Sequence, residues 1–277
     1  MDYLKVGGCG PKDYYPTGYK AMGAALGASG RAIDYSCSWP AYSGDDESTK
    51  PFQTYIDIGC TGWRNWHDVE CSMGSVLKII DHWGDYGKVL QPYGGPGHWH
   101  DMDMLLVGAL STGRVPGDGS NNPVGFPCIS DEQGKTQMAI WCISSSPLIM
   151  GNDLRNMTQA SKATLLNRGA IAVSQDPLGH MGIRLTGPTE YKQVWAKTLT
   201  PTSGGKFKAA VCLFARESSA VGAISFNFSM IPKFSTVEGP VTVTDIWSGH
   251  VETVTTGFYT AKVLEIYSSA FITIEAN

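Results

Sequence analysis

The chain has 277 residues, a formal net charge of −4 and a composition that is 42% hydrophobic and 17% charged. This length is sufficient for one large domain or two smaller ones. The slight negative charge and the lack of any basic cluster exclude an electrostatic basis for binding nucleic acid or an anionic membrane. No apolar run approaches the roughly 18 residues that a membrane-spanning helix needs. We therefore expect neither nucleic acid nor a membrane as a partner.

Up to about residue 185, short apolar runs alternate with stretches of helical spacing. The pattern predicts strands at Leu4–Val6, Ala32–Cys37, Gly62–Arg64 and Ala170–Val173, and helices at Tyr19–Leu26, Thr54–Ile58, Val76–Trp83 and Gln133–Ser144. A further apolar run, Met104–Val107, follows a glycine-rich turn. Strands separated by helix-length segments are typical of a parallel α/β sheet or a (β/α) barrel.

After Pro188 the pattern changes to β-branched and aromatic runs with short polar turns between them. Strands are predicted at Tyr191–Trp195, Lys208–Phe214, Ala223–Phe228, Val241–Trp247 and Ala270–Ile274. No helical stretch intervenes, so we predict an antiparallel β-sandwich over residues 187–277 and an α/β domain over residues 1–186. The segment Ser111–Pro127 is rich in Gly, Pro, Asn and Ser, which predicts an exposed loop.

The seven cysteines fit neither a small disulfide scaffold nor a zinc site, because the number is odd and no Cys-x-x-Cys pair occurs. We expect no metal and no organic cofactor. Cys128, Cys142 and Cys212 are expected to be buried free thiols, whereas the sequence assigns no role to Cys71.

The first residues, Met1–Val6, read as a strand that begins at once, with no basic or apolar leader, so we expect no signal peptide in this chain. Two glycosylation sequons begin at Asn156 and Asn227, and they weakly favour a secretory context.

Polar side chains cluster where predicted strands end, at Ser36–Tyr42, Arg64–Asp68 and Trp99–Met104. In a (β/α) barrel the carboxyl ends of the strands converge on one face, which carries the active site. Carboxylates beside aromatic rings at that face favour chemistry on sugars. Any single aspartate at such a position can equally be a cap of the following helix.

Four segments in this order resemble glycoside hydrolase family twenty-seven, the α-galactosidases and α-N-acetylgalactosaminidases, with the α-N-acetylgalactosaminidases more similar. They are Tyr35–Tyr42, Trp63–Asp68, Gly95–Met104 and Ser174–Gly179, and the likeness extends over residues 2–186. The resemblance implies an eight-stranded (β/α) barrel followed by an antiparallel β domain. It also implies retaining cleavage of terminal α-linked galactose or N-acetylgalactosamine from glycans, in a homodimeric protein that is lysosomal or secreted.

The resemblance also implies a set of site residues. Asp68 corresponds to the general acid/base, Arg64 to the arginine that reaches the 2-substituent of the sugar, and Lys5 to a lysine that binds ring hydroxyls, while Tyr42, Asp103 and Met104 correspond to further substrate-binding positions. The acid must be protonated to act on the leaving oxygen, which requires a raised pKa.

The positions that read the 2-substituent distinguish the two activities. Family galactosidases have glutamate and leucine where this chain has Ser38 and Ala41, and the smaller pair leaves room for an acetamido group. Cys37 and Cys60 correspond to a family disulfide that closes the loop carrying these residues.

The family nucleophile is missing. It is the aspartate of a Lys-x-Asp-Gly-Cys strand, and this chain reads Lys5-Val6-Gly7-Gly8-Cys9. A retaining mechanism needs two carboxyl groups about 5–5.5 Å apart. Since Gly7 has no side chain, we predict an inactive or nearly inactive chain. Two alternatives remain open: a non-catalytic sugar-binding relative, and a truncated gene product.

The resemblance begins at about the fourth barrel strand, which predicts a partial barrel that is either a fragment or needs a partner to close. Cys9 corresponds to a disulfide cysteine whose partner would lie in the missing part. His100 and Met102 stand where the family usually has asparagine and proline.

Overall fold

The computed structural model describes residues 1–113, 123–237, 239–263 and 265–276. The centre of the loop predicted at Ser111–Pro127, residues 114–122, lies outside these ranges. At the base of that loop, Leu110 pairs with Pro127 in an antiparallel bridge.

The first part of the chain forms a parallel sheet with helices between its strands. The strands are β1 (Tyr3–Val6), β2 (Asp34–Cys37), β3 (Gly62–Arg64) and β4 (Trp99–Asp101), in the order β1-β2-β3-β4. The connecting helices are α1 (Tyr15–Ala28), α2 (Phe52–Asp57) and α3 (Met73–Leu90), and α4 (Asp131–Ile143) follows β4. Sequential parallel strands with intervening helices are the arrangement of a (β/α) barrel, so the prediction of a partial barrel is confirmed.

Helices α3 and α4 begin at serine caps. The side chain of Ser72 accepts a hydrogen bond from the Ser75 amide at the start of α3. Ser130 and Gln133 form a reciprocal capping box at the start of α4. Such caps satisfy amides that have no partner within the helix, and thereby fix the residue at which each helix begins.

The strand predicted at Ala170–Val173 is wrong, because these residues lie in helix α6 (Arg168–Ser174), which follows α5 (Gln159–Leu165). The side chain of Asn167 caps α6 by accepting from the Ala170 amide. Within the four-residue run, Ala170 and Val173 are buried, a spacing of three that fits a helix. Periodicity over so short an apolar run does not separate a buried strand from a buried helix.

The second part of the chain is antiparallel, as predicted. Its six-stranded sheet has the order β10-β9-β12-β7-β6-β5, with β5 (Ile183–Arg184), β6 (Lys192–Leu199), β7 (Lys208–Ala215), β9 (Val241–Asp245), β10 (Val251–Val254) and β12 (Ser269–Ala276). A second sheet pairs β8 (Gly222–Asn227) with β11 (Phe258–Val263). Because β5 pairs with β6, the antiparallel sheet begins a few residues before position 187, and the domain boundary stays a prediction.

One face of the six-stranded sheet packs on α4. Trp195, Phe214 and Phe271 belong to the same apolar core as Trp141 of α4. The buried Lys197 of β6 donates a 2.6 Å hydrogen bond to the carbonyl of Val173 at the end of α6. Burial lowers the pKa of the Lys197 ammonium to about 8. The two parts of the chain are therefore joined by shared apolar and polar contacts.

Candidate active site

A cavity of about 440 Å³ opens where β1, β2 and β3 end. It is lined by Lys5, Gly7, Ser38, Ala41, Tyr42, Arg64, Trp66, His67 and Asp68. The fold thus brings together most of the positions that the sequence assigned to a site, although they are spread over more than sixty residues. Parallel strands make this possible because their carboxyl ends lie at the same edge of the sheet.

The buried guanidinium of Arg64 is the centre of the site. Its Nη1 lies 2.9 Å from Oδ1 of Asp103, and its Nη2 lies 3.1 Å from Oδ1 of Asp68. Nη2 also donates to the carbonyls of Trp66 (3.2 Å) and His67 (2.8 Å). Arg64 therefore holds both the carboxylate and the backbone of the segment that carries Asp68, which is itself 88% exposed.

Asp103 does not line this cavity but pairs with Arg64, which does. Its Oδ2 accepts from the Val69 amide at 2.7 Å, and its own amide donates to Oδ1 of Asp101 at 2.8 Å. The other oxygen of Asp101 lies 3.9 Å from Nζ of Lys5. Burial raises the pKa of the Asp101 carboxyl, against the opposing effect of the Arg64 and Lys5 cations.

Asp101 was not among the residues that the sequence assigned to the site. It is the last residue of β4, and through Lys5 and the Asp103 amide it contacts two of the assigned residues. In contrast, Met104 was assigned to the pocket but does not line the cavity. Its side chain is 37% exposed, and its carbonyl accepts from Nε2 of Gln137.

Ser38 and Ala41 lie side by side in the cavity wall, on the short turn that follows β2. Ser38 is buried and Ala41 half-buried. The hydroxyl of Tyr42 accepts from the Gly8 amide at 3.1 Å, which ties this turn to the end of β1. Small side chains at both positions leave space in the wall of the pocket.

At Gly7, an added Cβ atom would meet no heavy atom of the described residues within 4 Å. At Gly8, by contrast, a Cβ atom would lie 2.6 Å from the hydroxyl of Tyr15 and 2.7 Å from the ring of Tyr42. A side chain at position 8 would therefore require the Tyr15 and Tyr42 rings to move, whereas one at position 7 would not. The end of β1 has space for a carboxylate that the sequence does not supply.

A buried polar cluster supports the site from below, and we call Glu47, Lys50, Asn65 and His82 the Glu47 cluster. Oε1 of Glu47 lies 2.8 Å from Nζ of Lys50 and 2.7 Å from Nε2 of His82. Oε2 accepts from Nδ2 of Asn65 at 3.2 Å, and Nζ of Lys50 donates to the Asn65 carbonyl at 2.6 Å. The His82 ring stacks on Trp66 with centroids 4.2 Å apart. The cluster thus holds the two residues that follow Arg64.

His100 of β4 is a buried neutral imidazole. Its Nδ1 accepts from Nε1 of Trp63 at 2.9 Å and lies 3.0 Å from Nδ2 of Asn65, while Nε2 lies 2.9 Å from the carbonyl of Leu90. These partners fit the tautomer with the proton on Nε2. Burial lowers the pKa of His100 to about 4.

Because the His100 imidazole is buried and neutral, we predict that the folded protein becomes less stable in acid. The folded-state pKa of His100 lies below its ordinary value of 6.5, so protons bind the unfolded chain first as the pH falls from 6.5 to 4. The free energy of unfolding should therefore fall by up to about 3 kcal/mol over this window. Urea unfolding at several pH values should show a shallower fall for His100→Asn than for the unaltered chain. His250→Asn, at an exposed histidine, is the control. Equal slopes for His100→Asn and the unaltered chain would contradict the assignment.

Two disulfides are present among the described residues. Cys37 and Cys60 are joined, as the resemblance implied, with Cα atoms 5.9 Å apart. Cys71 and Cys128 are also joined, with Cα atoms 4.6 Å apart, so the prediction of a free thiol at Cys128 is wrong. The two residues lie 57 positions apart in the sequence, and only the adjacency of the loops that precede α3 and α4 brings them together.

The remaining cysteines are free thiols. Cys142 and Cys212 are buried, as predicted, and burial raises the pKa of each thiol to about 12. Cys9 is exposed at the end of β1.

The sequon asparagines Asn156 and Asn227 are both exposed. In the part of the chain that the structure describes, no helix is long and apolar enough to cross a bilayer.

Comparison with known proteins gives matches over both parts of the chain. A family model described as alpha galactosidase A matches residues 1–176, and one described as alpha galactosidase C-terminal beta sandwich domain matches residues 189–266. The α-N-acetylgalactosaminidase of Gallus gallus is 34% identical over 254 residues, which are 91% of this chain and 56% of that protein. The enzyme of the same name from Homo sapiens is 35% identical over 234 residues, 83% of this chain and 53% of that protein.

The fold is also similar to that of a solved α-galactosidase. The crystal structure of α-galactosidase I from Mortierella vinacea superposes with a TM-score of 0.74 at 20% identity, over 99% of this chain and 68% of that one. The chain spans about half the length of the curated relatives it matches. The two family matches, the barrel strands and the cavity at their carboxyl ends agree, and the chain belongs to glycoside hydrolase family twenty-seven, the α-galactosidases and α-N-acetylgalactosaminidases.

Proposed function

We propose that this chain carries the sugar-binding and acid/base part of a retaining exo-glycosidase, and that Gly7 leaves it inactive or nearly so. The substrates would be glycans that end in α-linked N-acetylgalactosamine or galactose. The proposal rests on the cavity in which Arg64, Asp68, Ser38 and Ala41 meet at Gly7.

In this mechanism Asp68 donates its proton to the leaving oxygen while the bond from that oxygen to the anomeric carbon breaks. Arg64 and Lys5 orient the sugar. The missing contribution is the attack on the anomeric carbon from the opposite face, because no carboxylate stands at position 7. Proton donation without that attack does not complete the double displacement by which retention occurs.

A sugar-binding role without catalysis is the second candidate. It is favoured by one observation: the cavity is formed although Gly7, which lines it, has no side chain that could attack the sugar. A truncated gene product is the third. The first two predict specific sugar binding by this chain, and the third does not.

Ser38 and Ala41 supply the test of substrate class. We expect the chain to bind N-acetylgalactosamine more tightly than galactose in calorimetric or NMR titrations, because small side chains leave room for the acetamido group. The double change Ser38→Glu with Ala41→Leu should shift the affinity ratio toward galactose by roughly tenfold or more.

The matched control makes the same two substitutions outside the cavity, at the exposed residues Ser219 and Ala223 of the β domain. That control should leave the ratio unchanged. A ratio that stays constant in the Ser38/Ala41 variant would show that these residues do not read the 2-substituent. Absence of binding to either sugar would favour the truncated product.

A lysosomal or secretory location and a homodimer of the complete protein are part of the proposal. Two disulfides are typical of an oxidising compartment, and the exposed Asn156 and Asn227 are open to glycosylation. Loss of mass on treatment of the protein from its natural source with a peptide N-glycosidase would support this location.

A further inference from the structure

We propose that the Cys71–Cys128 disulfide positions Asp68, so that the placement of the acid/base carboxylate depends on the oxidation of this cysteine pair. The inference rests on the proposed role of Asp68 and deepens it. Neither cysteine touches the sugar in this proposal, and both act as positioning residues.

The placement of Asp68 is a property of its backbone. The residues from Asn65 to Ser72, between β3 and α3, contain no helix or strand. The Asp68 side chain is largely exposed, and its ion pair within the described ranges is with Arg64. Because the side chain has so few contacts, the backbone conformation of this segment largely determines where the carboxylate lies.

On its amino-terminal side the segment is held by noncovalent contacts. Arg64 binds the carbonyls of Trp66 and His67, and the Glu47 cluster holds Asn65 and stacks on Trp66. These contacts end one residue before Asp68.

On the carboxyl-terminal side the anchors come largely from the neighbouring barrel unit. Asp103, just after β4, accepts from the amide of Val69. Two residues further on, Cys71 is joined covalently to Cys128. Both anchors connect the Asp68 segment to the β4–α4 connection. The hydrogen bond can open by thermal motion, whereas the disulfide is covalent.

The disulfide joins two well-fixed points. Cys71 immediately precedes Ser72, the N-cap of α3, and Cys128 lies two residues before Ser130, the N-cap of α4. The amide of Cys128 also donates to the carbonyl of Ala109 at 2.9 Å. The bond therefore fixes the start of α3 relative to the start of α4.

The covalent ring that this bond closes includes β4, Asp101 and Asp103. Asp103 in turn binds both Arg64 and Val69. Breaking the sulfur–sulfur bond removes the covalent anchor of the backbone just after Asp68. The hydrogen bonds from the Val69 amide to Asp103 and from the Glu70 amide to the Ser75 hydroxyl remain, and they can open by thermal motion. Reduction of the disulfide leaves two thiols and needs two electrons and two protons. An added dithiol supplies both and becomes a disulfide, whereas a phosphine supplies the electrons and becomes its oxide, with water giving the oxygen and the protons.

The test uses this chain with the double change Cys71→Ser and Cys128→Ser. Hydrogen exchange followed by mass spectrometry should show exchange over residues 66–71 rising by roughly tenfold or more. The matched control is the double change Cys37→Ser and Cys60→Ser, which removes the other disulfide. It should raise exchange around the turn after β2 and leave residues 66–71 protected.

A second readout separates positioning from general stability. The dependence of N-acetylgalactosamine affinity on pH should change in the Cys71/Cys128 variant, because the charge of Asp68 no longer sits at a fixed place in the cavity. The Cys37/Cys60 control should keep the pH dependence of the unaltered chain. In an enzyme with a restored nucleophile, the Cys71/Cys128 variant should lower kcat with little change in KM.

If the double variant does not fold, a water-soluble phosphine applied to the folded chain gives the same comparison, with mass spectrometry reporting which bond is reduced. Unchanged exchange over residues 66–71 once the Cys71–Cys128 bond is gone would overturn the inference. Raised exchange without any sugar binding would leave the positioning intact and overturn the proposed function instead.

Discussion

Replacing Glu47 with alanine is expected to lower the free energy of unfolding by about 3–5 kcal/mol. The side chains of Glu47 and Lys50 are both fully buried, with Oε1 and Nζ 2.8 Å apart. Alanine would leave the Lys50 ammonium inside the protein with the Asn65 carbonyl as its remaining hydrogen-bond acceptor among the described residues. Urea unfolding followed by tryptophan fluorescence measures the loss, and Trp66, next to the cluster, is a local reporter.

The chain contains a matched control for this prediction. Glu132 and Lys135 have the same i, i+3 spacing and an O–N distance of 2.6 Å, but their side chains are 41% and 32% exposed. Glu132→Ala should cost less than about 1 kcal/mol, because water solvates the remaining lysine. Equal losses for the two variants would show that burial of the Glu47 cluster does not matter. The double change Glu47→Leu with Lys50→Met should recover much of the loss, because it removes both charges.

Restoring a carboxylate at position 7 should raise turnover by roughly 10⁴-fold or more, the scale on which loss of a catalytic nucleophile acts. The prediction applies to a protein with a complete barrel. With Gly7 in place, Asp68 can protonate the leaving group, but nothing attacks the anomeric carbon. Azide should then enter the space beside Gly7 and attack an activated α-glycoside while the leaving group departs. The product should be the β-configured glycosyl azide, the result of a single inversion.

The structure makes the change at position 7 a clean experiment, since a Cβ atom there meets no described neighbour within 4 Å. Gly7→Asp should restore retention and remove the dependence on azide. Gly7→Asn, which has the same size but no charge to attack with, should stay inactive. NMR of the first-formed product distinguishes inversion from retention. Turnover of unactivated substrates with Gly7 in place would mean that another group is the nucleophile.

The sequence predicted those parts of the fold that depend on local pattern. Leu4–Val6 and Gly62–Arg64 lie within strands as expected, because each is a short run that a segment of helix length separates from the next. Ala170–Val173 was misassigned because four apolar residues carry too little periodicity. The positions of Arg64 and Asp68 in one cavity followed from the resemblance, which encodes how strand ends meet.

What the sequence could not predict depends on contacts between distant loops. Nothing near Cys71 or Cys128 indicates their pairing, which follows from the adjacency of two βα loops. Glu47 lies in a polar stretch that is typical of an exposed loop, yet it is completely buried because Lys50, Asn65 and His82 surround it. Such burial is a property of the assembled structure.

The shared core between α4 and the six-stranded sheet has a consequence for modularity. Trp141 and Trp195 come from different parts of the chain, and yet they belong to one continuous apolar core. The topology changes from parallel to antiparallel pairing with β5, a few residues before the predicted boundary at residue 186. This change of topology is not accompanied by a gap in the packing. Separating the chain at the predicted boundary would expose Phe214 and Phe271 of the β domain and Trp141 of α4 to water. We therefore expect that neither part can be transferred to another protein as an independently folding domain.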